Sequence, residues 1–251
     1  MLEVDYLSGY IYHMVHFKNL QNVFQRRAIL SKEKVVQEKI HYHSIAWEDV
    51  QDLRDRIFVW DFSQQRYRRL HSYVPFYFAV RTPMLHVQYR QGVQKEIIIF
   101  EVSRSILRDR GVLFTNGNAS KQQLSDPEKN IGEVVEVMPA TTSHNSCRRI
   151  YLPSGPHGAS LYRSDFYGDI VLLGHLDWDG INKKRFIDDL EEYKRISHAE
   201  VLIPDLLPLS RVHGISVSTQ TMVQDVNAVI AECGLAGRIP PAVYKPSLFF
   251  P

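Results

Sequence analysis

The signatures that commonly announce a nucleotide or metal enzyme are missing from this sequence. No G-x-G-x-x-G follows a strand-like run and no G-x-x-x-x-G-K-[ST] occurs, so the usual dinucleotide fingerprint and phosphate loop are both excluded. H-E-x-x-H and C-x-x-C are absent too, which removes the common zinc spacings. His13 and His16 in "YHMVH" lack a third ligand, as does "HYH" at 41–43, so no metal is expected. Cysteine is scarce: Cys147 and Cys233 are too few for a disulfide framework and fit reduced thiols in a cytoplasmic protein. No apolar run approaches the roughly 20 residues of a membrane helix. The opening "MLEVDYLSGYIYHMVHF" lacks a basic segment followed by an apolar stretch, so neither membrane insertion nor a secretory signal is expected. Charge of one sign is not in excess either. The net charge is +2, and composition alone does not announce a nucleic-acid partner.

What is present is an ordinary globular composition, 44% hydrophobic and 23% charged. Arginines bunch in "RDR" (54–56), "QQRYRRLH" (64–71), "RSILRDR" (104–110) and "KKR" (183–185). They are either solvated surface charge or, if several share a face, a field that holds a phosphate backbone. The patterning predicts a strand over 10–16, an amphipathic helix over 19–30 through Leu20, Val23, Phe24 and Ile29, and a helix over 44–57 capped near Ser44. "YVPFYFAV" (73–80) and the very apolar "EIIIFEVS" (96–103) are the clearest strands, the second a central one. "VLFTNGNAS" (112–120) reads as a strand entering an Asn-Gly turn. Residues 121–168 are polar and irregular, the pattern of an extended loop region. Beyond it come a helix over 182–195, strands over 199–205 and 214–219, a helix over 221–234 ended by Gly234, and a last strand over 242–246. Helices early and late around a strand-rich middle predict one mixed α+β domain spanning 1–251.

Candidate chemistry rests on scattered single residues. His13 and His16 alternate with apolar neighbours on the first strand. Arg54 lies on a predicted helix whose buried side is Val50 and Leu53. Arg81 closes an apolar strand, where it either marks the exit from the core or delivers a cation to a site. Glu200 opens an apolar strand, as a solvated strand-end acid or as a carboxylate aimed into a cleft. Aromatics Tyr73, Phe76 and Tyr77 stack bases or, by alternation, fill the core.

Five stretches in order resemble the DarT family of DNA ADP-ribosyltransferase toxins. They are "YHMVHFKNL", "SIAWEDVQDLRDR", "LHSYVPFYFAVRTPML", "FTNGNA" and "LDWDGINKKRF…KRISHAEVLI". Thr82 stands where serine is usual and Asn118 where many relatives carry histidine. The resemblance implies a single compact α+β ADP-ribosyltransferase-like domain that splits NAD at the nicotinamide–ribose bond and places ADP-ribose on a base of single-stranded DNA, thymidine ahead of guanosine. By position, Glu200 is similar to the catalytic glutamate and Arg54 to an arginine that is both catalytic, through activation of the base, and an NAD contact. His13, Met14, Val15 and His16 match the strand along which NAD lies. Arg81, Thr82, Pro83 and Met84 match an element at the DNA, and Lys194 and Arg195 a basic loop that also touches it. Residues 121–168 fall where the family keeps its substrate-recognition loop. NAD as co-substrate without a metal, single-stranded DNA, a DarG-like macrodomain antitoxin, no membrane and a cytoplasmic location complete the expectation. The competing readings are an ADP-ribosyltransferase acting on RNA or protein, and a catalytically dead nucleic-acid-binding module.

Overall fold

The structure, a computed structural model, describes residues 6–119, 135–137, 146–147, 165–182 and 191–251. The first half carries strands β1 (Tyr10–His16), β2 (Ala28–Leu30), β3 (Ile57–Asp61), β4 (Arg66–Arg69), β5 (Tyr73–Tyr77), β6 (Ile97–Ser103) and β7 (Leu113–Thr115). The second half carries β8 (Val135–Val137), β9 (Ser146–Cys147), β10 (Phe166–Tyr167), β11 (Glu200–Pro204), β12 (Leu206–Pro208), β13 (Val212–Val217) and β14 (Ala242–Tyr244). Helices α1 (Leu20–Arg26), α2 (Lys32–Gln37), α3 (Glu48–Asp55) and α4 (Pro83–Arg90) precede β6. Helices α5 (Trp178–Asn182), α6 (Glu191–Ile196) and α7 (Gln220–Glu232) follow β10.

Among the described residues nine strands form one sheet in the order β14-β13-β6-β1-β5-β11-β7-β10-β9. Its pairs are antiparallel except β13–β14. The run Ile97–Val102 is buried throughout, because β6 has sheet neighbours on both edges and core on both faces. Its one charge, Glu101, is held by Lys245 Nζ at 2.8 Å and by the Ser216 hydroxyl. Gly214 leaves room for that carboxylate: a Cβ there would lie 3.0 Å from Glu101 Oε1.

Several boundaries differ from the sequence pattern, each for a local reason. The helix expected over 19–30 ends at Arg26, where Arg27 adopts φ 54° and turns the chain out of the helix. Ile29, which matched the helical period, is instead buried in β2 opposite Leu207. The helix expected over 44–57 begins at Glu48. Ser44 is not its cap, since its hydroxyl bonds the Ala46 backbone. Its buried residue is Arg54, not Val50 or Leu53, which stay half-buried. Strand β5 stops at Tyr77, short of the expected Val80. Thr82 then caps α4, its hydroxyl accepting from Leu85 N at 3.2 Å with Pro83 at the first helical position. Arg81 is thus the residue before a helix cap. The segment 182–195 contains the end of α5 and all but the last residue of α6, while 183–190 lie outside the described residues. Most of the expected loop region, including 120–134, 138–145 and 148–164, lies outside them too. Helix α2, capped by Ser31, was not legible. The helix ending before Gly234, at φ +66°, matches the pattern.

The sheet has one weak seam. β1 pairs with β6 over seven residues, but meets β5 at a single register pair, Tyr12 opposite Tyr77. Pro75 has no N–H to offer a ladder, so the parting costs β5 nothing at that position. The His13 side chain spans it instead, with Nδ1 2.7 Å from the Pro75 carbonyl oxygen, which makes that nitrogen the donor. Burial pulls the His13 imidazole down to about 4, against the smaller upward pull of this hydrogen bond.

The sign of the resulting pH effect follows from linkage. The unfolded chain takes up this proton near 6.5, the folded chain not until about 4, so stability drains away as the pH falls through that window. Urea midpoints measured at pH 7.5, 6 and 5 should decline accordingly. A His13→Gln variant should lose that part of the slope.

Candidate active site

The parting of β1 from β5 opens into a cavity of about 560 Å³. His13, Met14, Val15 and His16 line one wall, Pro75 and Tyr77 the floor, and Arg54, Asn118, Lys194, His198 and Glu200 one end. Five separate stretches of the chain meet here, none adjacent in sequence.

Glu200 sits at the first residue of β11, opposite Tyr77 of β5, and is 1% exposed. It is therefore the inward carboxylate and not a solvated strand end. Arg54 Nη1 donates to both its oxygens, at 3.1 Å to Oε1 and 3.0 Å to Oε2. Ala119 N donates to Oε1 at 3.0 Å. The Glu200 backbone N–H is itself fixed, by the Thr115 hydroxyl at 3.0 Å. Arg54 Nη2 is buried with no hydrogen-bond partner among the described residues. Burial, with the Glu200 charge second, holds the Tyr77 phenol well above the ordinary tyrosine range, so it stays a neutral donor beside the carboxylate.

The wall built from β1 is held by polar contacts. His16 Nδ1 accepts from Lys18 N at 3.2 Å, which leaves the proton on Nε2, 3.3 Å from Glu96. Desolvation and the neighbouring His43 lower its pKa. The His43 ring lies 4.1 Å from that of His16, and Asn19 clasps the His43 backbone through both amide atoms at 2.7 and 2.8 Å. Met14 lies 3.9 Å, sulfur to oxygen, from the Thr82 hydroxyl.

The expected residues divide by placement. Glu200, Arg54, His13, Met14, Val15, His16, Pro83, Met84 and Lys194 all line the cavity. Arg81 and Thr82 do not line it, although they directly precede Pro83. Thr82 is fully buried as the α4 cap. Arg195 is 8% exposed and its Nη1 donates to the Asn116 carbonyl and side-chain oxygens, each at 3.2 Å. It fixes the turn that delivers Ala119 to Glu200. Tyr73, Phe76 and Tyr77 are all core residues, though Tyr77 also reaches the cavity.

Among the described residues, two members of the arginine clusters are interior, while the cluster at 183–185 lies outside them. Arg54 is buried against Glu200, and Arg68 is buried between Asp61 at 3.3 Å and Asp205 at 2.7 Å. Sequence reasoning also missed a further set of lining residues, Asn19, Asn22, Lys32, Tyr42, His43 and Trp47. Lys32 Nζ lies 4.1 Å over the Tyr42 ring. Only the Asn-Leu after the first strand hinted at this region. His71 was missed as well: its Nδ1 holds Asp55 at 2.6 Å, one residue past Arg54, and so pins the end of α3.

The family model described as the DarT ssDNA thymidine ADP-ribosyltransferase matches residues 12–149 and 137–250. A DNA ADP-ribosyl transferase of Thermus sp. 2.9 is 24% identical over 233 residues, covering 91% of this chain and 90% of the relative. One from Thermus aquaticus is 23% identical over 222 residues, covering 88% and 81%. Among solved structures, Thermus sp. 2.9 DarT with ADP-ribosylated ssDNA superposes at TM-score 0.70 with 22% identity over 96% of each chain. The same protein with NAD+ gives TM-score 0.68 and 22% identity over 96% and 97%. Thermosipho africanus DarTG with ADP-ribose gives 0.65 and 17%, covering 96% of this chain and 51% of that one. The fold is the α+β fold of these structures, and with the family model spanning nearly its whole length the chain belongs to the DarT family.

Proposed function

We propose that this protein transfers ADP-ribose from NAD to a base of single-stranded DNA, thymidine foremost, with release of nicotinamide. The observation that carries the reading is a carboxylate, Glu200, fixed on a sheet strand at the end of a cavity and clamped by Arg54 and Ala119 N.

Breaking the nicotinamide–ribose bond sends its electron pair to the nicotinamide nitrogen and leaves positive charge on the ribose carbon. A preorganised carboxylate stabilises charge that develops there and requires no reorganisation when it does. Oε1 of Glu200 already accepts two hydrogen bonds while Oε2 accepts one, so Oε2 retains capacity for a ribose hydroxyl. The acceptor nitrogen of the base forms the new bond to the carbon and releases its proton to solvent, so that NAD+ and the base become the ADP-ribosylated base, neutral nicotinamide and one proton. A guanidinium holds its own proton to above about pH 12, so Arg54 is not the literal base. Its buried Nη2 instead supplies donors for an NAD phosphate oxygen or for the developing base anion. His13, Met14, Val15 and His16 form the wall along which NAD lies. Pro83, Met84 and Lys194 face the DNA side, with Arg81 beside them, while Thr82 and Arg195 position their neighbours. Single-stranded DNA requires no base to be flipped from a duplex, which removes a barrier of a few kcal/mol.

The same reading treats residues 1–251 as one domain, with 121–168 as its substrate-recognition region. It makes the protein the toxin of a toxin–antitoxin pair, restrained in the cytoplasm by a DarG-like macrodomain partner. No helix among the described residues is long and apolar enough to cross a membrane. The match to a chain named DarTG supports the pairing.

Mass spectrometry of oligonucleotides that each offer one candidate base, after incubation with NAD, names the acceptor. Label on RNA or protein but not on DNA would sink the reading. A Glu200→Gln variant keeps the side-chain shape and one acceptor oxygen but leaves the buried Arg54 without its anion, so it should fold with reduced stability. Where folded, it should label DNA about 10²–10³-fold more slowly, the usual effect of removing one preorganised charge-stabilising group. Arg54→Ala leaves a buried carboxylate without its cation, and denaturant unfolding should show a loss of about 3–5 kcal/mol alongside lost labelling.

A further inference from the structure

Next to the cavity, α4 and the segment 246–250 build an aromatic surface that the reaction chemistry above does not use. Phe250 is its hub. Its ring centre lies 5.1 Å from that of His86 and 5.7 Å from that of Tyr89, and those two rings are 6.2 Å apart. The Arg81 guanidinium lies 5.8 Å over the Phe250 ring while its Nη2 donates to the Ser247 carbonyl at 3.0 Å. The group is firmly held. Gln94 grips the Phe250 backbone at both ends of its amide, at 2.9 and 3.0 Å, and the preceding Phe249 is buried with Met14, Tyr77, Leu85, Ile97 and Ile99.

A tail anchor alone does not account for this arrangement. Phe249 already supplies the apolar anchor, at 1% exposure, whereas Tyr89 is 39% exposed on α4 and Arg90 beside it is exposed as well. Aromatic faces joined to guanidinium groups on a rigid surface are the recurring chemistry of single-stranded nucleic-acid binding, in which bases stack and cations meet phosphates. His86 also lines the cavity, so the surface is continuous with the reaction site. Arg81, Tyr89 and Phe250 do not line it, which separates the surface from the space a dinucleotide would fill.

We propose that Arg81, Tyr89 and Phe250, together with His86, form a stacking platform for a nucleotide flanking the acceptor base in the same strand. This rests on the reading of the protein as a modifier of single-stranded DNA. Tyr89 and Phe250 offer faces to the flanking base, and Arg81, preset by Ser247 and Phe250, offers its remaining donors to a phosphate. Affinity for the strand then comes largely from outside the reacting base.

The test is steady-state labelling of strands of about ten nucleotides, within the range of known site sizes, and of the single acceptor nucleotide, which has no flanking base. Tyr89→Ala and Phe250→Ala should each raise KM for the longer strand by about 5- to 100-fold, the span of base–aromatic stacking losses, with kcat at saturating DNA far less affected. The defect should vanish with the single nucleotide, and Tyr89→Phe and Phe250→Tyr should keep wild-type KM. Arg81→Ala should flatten the dependence of log affinity on log salt by about 0.7, one phosphate on a single strand. Because Tyr89 is exposed, its variant folds even if Phe250→Ala loosens the tail, and thermal melting separates the two effects. Wild-type KM for the long strand in Tyr89→Ala and in a folded Phe250→Ala would overturn the platform while leaving the DNA reading intact. A wild-type protein that consumes NAD but labels no DNA would remove both.

Discussion

The site depends on a buried ion pair. Glu200 and Arg54 are 1% and 6% exposed, so both charges have left water, a step whose desolvation penalty is several kcal/mol per ion. Such a pair is costly unless its other hydrogen-bonding capacity is largely met, and the neighbouring residues meet much of it, with Arg54 Nη2 left without a partner among the described residues. Thr115 fixes the Glu200 backbone, Ala119 N takes one carboxylate oxygen, and Arg195 holds the turn that brings Ala119 there. Helix α3 shows the same constraint from the other side. Its buried residue is a cation, its apolar positions are only half-covered, and Asp55 is fastened to His71 immediately after Arg54. The helix is seated by polar anchors, and its place is set by the carboxylate it meets.

Room for a substrate comes from a second constraint, the parting of two half-sheets. β6 and β1 form a continuous ladder, as do β5 and β11, but β1 and β5 touch at one pair. A proline at position 75 removes a donor where a tighter seam would need it, and His13 bridges the gap with its side chain. The strand that lines the cavity is thereby held on one edge by a full ladder and left open on the other. A wall so made stays rigid while presenting free edge and side chains to a ligand, which is the combination preorganised chemistry needs.

How much of this was legible follows from which residues carry it. Strands β1, β6, β11 and β13 and helix α7 were readable because their apolar patterns are long and their neighbours agree with them. The end of α1 was not, because Ile29 falls in step with the helical period by coincidence while Arg27 alone turns the chain. Helix α3 misled for a physical reason: amphipathic analysis assumes that apolar residues face inward, and here the inward residue is Arg54. Glu200 was equally ambiguous in isolation, since a strand-initial acid is solvated or buried according to a partner 146 positions away. Family resemblance singled out both positions but not their pairing, which the structure shows. Composition and period contain no trace of it.

The arginines show most clearly why counting charge was uninformative. Arg54 and Arg68 are each spent on interior carboxylates, and Arg195 on a turn, so membership of a basic cluster does not by itself place an arginine on the surface. With a net charge of +2, long-range attraction to a polyanion is weak, and recognition of a strand must come from contacts at close range. Arg81, proposed above for that role, is held in place by the chain around it. Thr82 and Pro83 start a helix directly behind it, which fixes its backbone, while a carbonyl and an aromatic face fix its side chain. An arginine immobilised in this way loses less entropy on meeting a phosphate than a freely rotating surface lysine does. The cation that the sequence pattern places at the end of the apolar strand stands four residues beyond β5, at the start of a capped helix, where a rigid, directed charge can be built.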